Sequence, residues 1–323
     1  MMNEQYYSVL GTLMKEFVAQ KRANGFSYKG EAQMLMRFDR LCIDQQLKDI
    51  AITKEIVDLW SEKAYNENLN TRYHRISDLR QFCIYLVSQG YEAYIPKLIA
   101  SGEKSIPYIL SHEELIALFK VIDNQIPNYK HPLKFVEGEK ILYRLFYCCG
   151  LRRSEGCNLK MECVDLINGE ITIFHSKGDK DRVVYLPDDL LRMCQAYIEF
   201  INKECPGSPW LFPGKDPMNH YSNAQLDVNF KKFWEKTPYA QKGNKYPTIH
   251  SLRHTFVVDK MNEWMEKEID LKSMLPYLSR YLGHSSVNDT LYYYHLVDKA
   301  FQNVRSKDTH FNDLIPEVET YEN

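Results

Sequence analysis

Four separated stretches of the chain place arginine, lysine, histidine or tyrosine at an edge between regular elements, where side chains can converge. They are Gly150-Leu151-Arg152-Arg153-Ser154-Glu155, Ser176-Lys177-Gly178, His250-Ser251-Leu252-Arg253-His254, and Leu282-Gly283-His284 followed by Tyr292-Tyr293-Tyr294. Two arginines, a lysine and two histidines make a cationic, donor-rich pocket. Such a pocket suits a phosphate whose charge grows in the transition state, because fixed donors stabilise that charge better than water does. A tyrosine adds a nucleophile able to form a covalent phosphoryl ester. Neighbouring cations or a base must then help remove its proton from a resting pKa of ~10.

Each residue alone has a plainer reading. Arg152 reads as a surface ion-pair partner of Glu155 three residues on, and Lys177 as a solvated turn residue. His250 and His254 have the four-residue spacing of helical metal ligands, but a zinc-binding helix of that kind needs Glu beside the first His. Here Ser251 follows His250, and Arg253 would repel a metal ion. His284 reads as a capping or core residue, and the tyrosine run as packing in a chain with 23 tyrosines. The joint occurrence of all of them in one order favours chemistry.

The elements that must position these residues follow from periodicity. From residue 5 to about 90 apolar residues recur at three- and four-residue spacing, marking four helices. The first carries Leu10, Leu13, Met14, Phe17 and Val18; the second carries Leu35, Phe38, Leu41 and Cys42. A third follows Thr53 as cap through Ala64, and a fourth runs from about Thr71 to Gly90 with Ile76, Leu79, Cys83, Leu86 and Val87 inward. Residues 97–110 break the period with Gly102 and Pro107, as a linker does. Ser111 and Glu114 have the spacing of a capping box. Around 169–186 the period changes to two, with Glu170–Phe174 and Arg182–Leu186 flanking a polar turn, which predicts a β-hairpin with Lys177 at its tip. Further helices are predicted at roughly 134–149, 187–203, 222–236, 250–265, 270–283 and from 287.

The chain has 323 residues, more than one core usually fills, so two domains are expected. With 44% hydrophobic and 26% charged residues it is an ordinary globular chain, which excludes disorder as the main state. No apolar run approaches the roughly 20 residues of a membrane span, and the first residues do not look like a secretory signal; no membrane association and a cytoplasmic location are expected. The eight cysteines show no paired spacing and read as reduced core thiols. A net charge of −2 argues mildly against nucleic acid. The average conceals local charge: residues 228–260 carry seven Lys or Arg against Glu235 and Asp259, whereas 311–323 carry only acids. Phosphate binding requires that kind of concentration.

Together the segments resemble the tyrosine recombinases, or phage-type integrases. Gly150–Glu155 is similar to the family's first arginine box, Ser176-Lys177-Gly178 with Lys180 and Arg182 to its lysine hairpin, and His250–Thr255 to its His-x-x-Arg box. Leu282-Gly283-His284 fits the last box, with Tyr293 nine residues beyond His284. The resemblance spans about 110–300, and residues 75–86 are similar to the last long helix of the family's core-binding domain. It implies a mainly α fold with a small β-hairpin or sheet. An N-terminal helical core-DNA-binding (SAM-like) domain would occupy 1–100, a linker 101–110, a C-terminal mixed α/β catalytic domain 111–305, and an acidic tail 306–323.

The resemblance also implies a reaction. Tyr293 attacks a DNA phosphate and forms a 3′-phosphotyrosyl link, which the 5′-hydroxyl of another strand then resolves, with no ATP, metal or other cofactor. Arg152 and Arg253 would brace the phosphate oxygens, Lys177 would protonate the leaving oxygen, His250 would assist the loss of the Tyr293 proton, and His284 would donate to the phosphate. Glu155 would orient a pocket histidine or arginine. In the tyrosine run, Tyr292 would face the core and Tyr294 would face outward. Lys21, Arg22, Lys29, Arg72, Arg75 and Arg80 of the first domain would grip DNA from one side, and Lys231, Lys232, Lys236, Lys242 and Lys245 from the other. The partners implied are double-stranded DNA with a specific core site, three further protomers in a tetramer on two duplexes, and room for an accessory directionality factor. Integration, excision or transposition of a mobile element and Xer-type resolution of chromosome or plasmid dimers are alternative roles. A noncatalytic DNA-binding protein of the same fold and a type IB topoisomerase-like enzyme are the competing readings.

Overall fold

The computed structural model of the protein describes residues 4–102, 106–174, 181–241, 246–284 and 286–297. The chain divides into two compact units, Met1–Ser105 and Ile106–Asn323. Among the described residues no helix is long and apolar enough to cross a membrane. All eight cysteines are free, and seven are buried.

The first unit is built on α1 (Gly11–Ala23), α2 (Lys29–Asp44), α3 (Lys54–Ser61) and α4 (Leu69–Ser88). Their apolar stripes meet in one core of Met14, Phe17, Leu35, Phe38, Phe82 and Leu86. Asp39 is buried in the middle of α2 and is satisfied by the residues that precede α1: it accepts from Tyr7 N at 2.7 Å and Ser8 N at 3.0 Å. Asn68 starts α4 by accepting from Thr71 N at 2.7 Å, so that helix begins two residues before the apolar pattern suggests. Two short parallel strands, β1 (Ala51–Ile52) and β2 (Glu92–Ala93), tie the entry of α3 to the exit of α4; neither was legible as a strand.

Helix α3 stops at Ser61 and does not reach Ala64, and the reason corrects one expected DNA contact. The last carbonyls of a helix lack partners in the helix itself and carry its negative end. Arg75 reaches over from α4 and donates to Trp60 O and to Glu62 O, the latter at 2.8 Å, while Arg72 Nε donates to Ser61 O at 2.8 Å. The remaining Arg75 donors meet Glu67 Oε1 at 2.9 Å and Oε2 at 2.8 Å. Buried and bonded both to the α3 carbonyls and to Glu67, Arg75 forms a helix-capping ion pair, a place the expected DNA contact did not include.

The second unit opens with α5 (His112–Asp123), where Ser111 and Glu114 form the expected capping box. Helix α6 (Leu133–Cys148) is its axis, buried along most of its length and packed between α8 (Asp188–Glu204) and α10 (Ile249–Glu266). Its Glu139 is buried but satisfied, accepting from Tyr221 Oη at 2.6 Å and Asn229 Nδ2 at 2.7 Å. The hairpin pairs β4 (Glu170–Ile173) with β5 (Arg182–Tyr185), antiparallel, with Ile171 opposite Val184. A third strand that periodicity did not show, β3 (Val164–Asp165), completes the sheet in the order β3-β4-β5. The short α7 (Arg153–Cys157) and α9 (Asn223–Trp234) flank α6. Helix α11 (Leu271–Leu282), α12 (Asn288–Leu291) and a single 3-10 turn at Tyr294–Leu296 close the described chain. Phe256, Met261, Leu275, Leu282 and Tyr293 form a second core cluster, and Tyr147 and Tyr281 touch both clusters.

Replacing Arg75 with alanine takes the cation from Glu67 and the partners from Trp60 O and Glu62 O. A loss of about 3–5 kcal/mol in urea unfolding of the full chain is expected. Unchanged unfolding with weakened DNA binding would return Arg75 to the DNA-contact set.

Candidate active site

Two left-handed glycines hold the site together. Gly150, with φ +62°, turns the chain sharply after α6, and Gly283, with φ +65°, caps α11. A side chain at either position would be strained, and at Gly150 a Cβ would also lie 2.7 Å from the Phe256 ring. The turns aim helix-end carbonyls at two guanidiniums. Arg253, only 1% exposed, donates through Nη1 to Gly150 O and through Nη2 to Leu282 O at 2.8 Å. Arg152 donates through Nη2 to Gly283 O. Burial, followed by repulsion from Arg152, disfavours the charge on Arg253. The two carbonyls at negative helix ends offset that cost and keep the group protonated.

Glu155 links the arginine box to the hairpin. Its carboxylate accepts from Arg152 N at 2.7 Å and Nη1 at 2.8 Å, and from Arg182 Nη1 at 2.8 Å and Nη2 at 2.6 Å. Burial alone would raise its pKa, but the bonds and charge of Arg182, then those of Arg152, hold it at about 2. Arg182 takes an inward position in β5, on the same face as Val184, and is buried. The orienting role expected of Glu155 thus falls on two arginines, and the plain reading of Arg152 as its ion-pair partner holds at the same time.

His284 lies against Arg253, its Nε2 3.0 Å from Nη2 and its Nδ1 2.8 Å from Thr290 Oγ1. Guanidinium nitrogens only donate, so Nε2 accepts and Nδ1 carries the proton to Thr290. Burial, then Arg253 and Arg152, lowers the pKa of His284 to about 4. His250 stands at the solvent edge of the pocket. Lost hydration, then Arg253, Arg152 and Arg153, lowers it to about 4 as well. The His284 ring is therefore neutral at pH 7.

The inward tyrosine is Tyr293, 5% exposed, whereas Tyr294 is 37% exposed and Tyr292 is half-buried. The expected core-facing place of Tyr292 is corrected, because the chain leaves α12 at Tyr292 and enters the 3-10 turn, so the 100° step of an α-helix no longer applies. Burial raises the Tyr293 pKa to about 12, while Arg253 and, more weakly, Arg152 act to lower it. Its Oη lies 2.6 Å from Nδ1 of His254, and the His254 and His250 rings meet edge to face at 4.3 Å. The residue against the phenol is thus His254, which the sequence reading weighed only as a metal ligand. The sole signal for it was its place beside Arg253, four residues after His250. Among the described residues no three His, Cys, Asp or Glu side chains gather as a metal site.

Arg152, His250, Arg253, His284 and Tyr293 therefore converge. Lys177, Lys242 and Lys245 lie outside the described residues, as does 306–323. The other expected DNA contacts are mixed. Lys29 and Lys232 are exposed, and so is Lys236, which lines a groove with Tyr239. Lys21 lies over the Phe17 ring, Lys231 faces Glu235 at 3.8 Å, Arg22 pairs with Glu4 at 2.6 Å, and Arg80 donates to Pro96 O at 2.6 Å.

A histidine with a lowered folded pKa binds fewer protons than its unfolded form, so its stabilisation is complete above 6.5 and is lost as pH falls towards 4. Chemical unfolding between pH 7 and 4.5 should show falling stability, with a shallower slope in His284→Gln. An identical slope in that variant would contradict the neutral ring. Glu155→Ala, which removes the carboxylate shared by Arg152 and Arg182, should cost about 3 kcal/mol or more at pH 7 in the same assay.

The comparisons with known proteins agree with this geometry. Residues 109–300 match the model of the phage integrase family. The tyrosine recombinase XerD of Rhizobium meliloti (strain 1021) is 26% identical over 240 residues, covering 73% of each chain. A putative integrase/recombinase, y4rB, of Sinorhizobium fredii (strain NBRC 101917 / NGR234) is 24% identical over 287 residues, covering 87% of this chain and 90% of its own. The fold is similar to that of the XerH site-specific recombinase bound to its palindromic difH substrate, with a TM-score of 0.62, 19% identity, and coverage of 87% of this chain and 78% of the other. The family match covers the unit in which Arg152, Arg253, His284 and Tyr293 converge, and this chain belongs to the phage integrase family, the tyrosine recombinases.

Proposed function

We propose that this tyrosine recombinase cuts and rejoins double-stranded DNA at a specific core site through a 3′-phosphotyrosyl bond to Tyr293. The observation that carries the reading is a single phenol turned into a pocket whose charge comes from Arg253 and Arg152. As Tyr293 Oη bonds to phosphorus, the bond to the 5′-oxygen breaks, and that oxygen takes a proton from Lys177. The forked donors of the two arginines brace the nonbridging oxygens, a geometry that lysine cannot reproduce. One phosphoester replaces another of similar energy, so neither ATP nor a metal enters the balance. His284 begins as an acceptor from Arg253. It serves the phosphate after the oxygen takes over that guanidinium bond and the ring turns a donor outward.

Exchange between two duplexes needs two cleaved strands at once, and a tetramer of this chain on paired sites is part of the proposal. So are the specific core site and an accessory factor that sets direction. An Xer recombinase and a putative integrase/recombinase are both similar to this chain, and the same pocket chemistry serves dimer resolution and mobile-element movement. The run Asp289–His295 and the near-neutral charge favour the mobile-element role.

With nicked site DNA, which traps the intermediate, Tyr293→Phe should give no covalent adduct and Tyr294→Phe should still give one. An adduct lost only in Tyr294→Phe would move the nucleophile. Arg253→Lys keeps the charge but loses the fork, and its adduct should form about 100-fold more slowly or worse. The unaltered protein should form the adduct in excess EDTA; abolition by the chelator would sink the metal-free scheme.

A further inference from the structure

We infer that His254 is a catalytic residue of the strand-transfer step, the base that receives the Tyr293 proton through Nδ1. This rests on Tyr293 being the nucleophile and replaces His250 in the role of assisting base. Three observations carry it. The first is reach: Tyr293 Oη is 2.6 Å from His254 Nδ1, within direct proton transfer, and the two rings lie 5.4 Å apart at 44°. The second is position: the His250 and His254 rings meet edge to face with centroids 4.3 Å apart, and the His254 ring also packs against the phenol. The third is rigidity. His254 follows the buried Arg253 on α10, between residues held in the core, so its ring is fixed by the same helix that fixes the phosphate-bracing guanidinium.

A buried phenol also needs a base. Removal from water raises the Tyr293 pKa to about 12, beyond what nearby arginines reverse. An acceptor already in contact lets the proton leave as the Oη–P bond forms, without a free phenolate at neutral pH. The balance is complete: Oη–P forms, P–O5′ breaks, the proton moves from Oη to Nδ1, and Lys177 supplies the proton taken by the 5′-oxygen. In religation each proton returns. The scheme requires the tautomer in which Nδ1 is free to accept.

The test compares His254→Asn, His250→Asn and Tyr293→Phe in full-length protein on nicked site DNA. Asparagine at 254 can still accept a hydrogen bond near the Nδ1 position but is no base. His254→Asn should bind site DNA normally yet form the adduct on the order of 100-fold more slowly, and His250→Asn should lose less. A site carrying sulfur at the bridging 5′ position, which leaves without a proton, should restore Lys177→Ala but not His254→Asn. Cleavage by His254→Asn within about an order of magnitude of the unaltered protein, or its rescue by the sulfur site, would overturn the assignment. An adduct in Tyr293→Phe would instead fail the reading of the nucleophile, and this inference with it. Should His254→Asn not fold, nitrogen-15 spectra of the unaltered protein decide. A bare, hydrogen-bonded Nδ1 at His254 that changes in Tyr293→Phe supports the proposal, and a protonated Nδ1 overturns it.

Discussion

A guanidinium buried to 1% exposure is the constraint on which the catalytic unit depends. Arg253 could not stay charged among Leu252, Phe256 and Leu282 without carbonyls placed for it, since an unpaired buried charge costs several kcal/mol. The fold supplies them from the ends of two helices that are distant in sequence, α6 through Gly150 and α11 through Leu282. Arg152, at the start of α7, takes Gly283 O in turn. Each of the two arginines is thus anchored to a helix terminus on another part of the chain, and their bonds tie the α6 exit, α7, α10 and α11 to one another.

The same anchoring sets the protonation of the pocket. Burial, with Arg253 and Arg152 alongside, lowers the pKa of His284, and the same two guanidiniums favour the Tyr293 phenolate against the burial that opposes it. Glu155 supplies compensating negative charge, but it is committed to Arg152 and Arg182 and does not compete for the phosphate site. Through Arg182 it also holds the base of the β4–β5 hairpin, so the strand leading to Lys177 is tied to the arginine box by one carboxylate.

Much of this was legible because chemistry restricts residue type more tightly than packing does. Arginine, histidine and tyrosine in a fixed order are recognisable without knowing how the chain folds, and the 3.6-residue period located the long helices to within a few residues. What was not legible depends on tertiary partners. Strands β1, β2 and β3 are two residues long and have no period of their own. Arg75 looks like any exposed basic residue until α3 ends beside it. Arg182 was read only as part of the period-two strand and the lysine hairpin, and neither its burial nor its bond to Glu155 was legible. His254 became visible only when the change from α12 to the 3-10 turn set Tyr293 against it, the same change that took Tyr292 from its expected core-facing place.

The contact between His284 and Arg253 has a further consequence. In the resting pocket one guanidinium nitrogen is already occupied by the ring, and the ring by Thr290. A small free anion arriving from solution would have to break this internal pairing with nothing but its own charge. A long polyanion, held along its length by many other contacts, can drive the exchange at one of its esters. Any anion that binds at this Arg253 nitrogen must therefore first displace the imidazole from it.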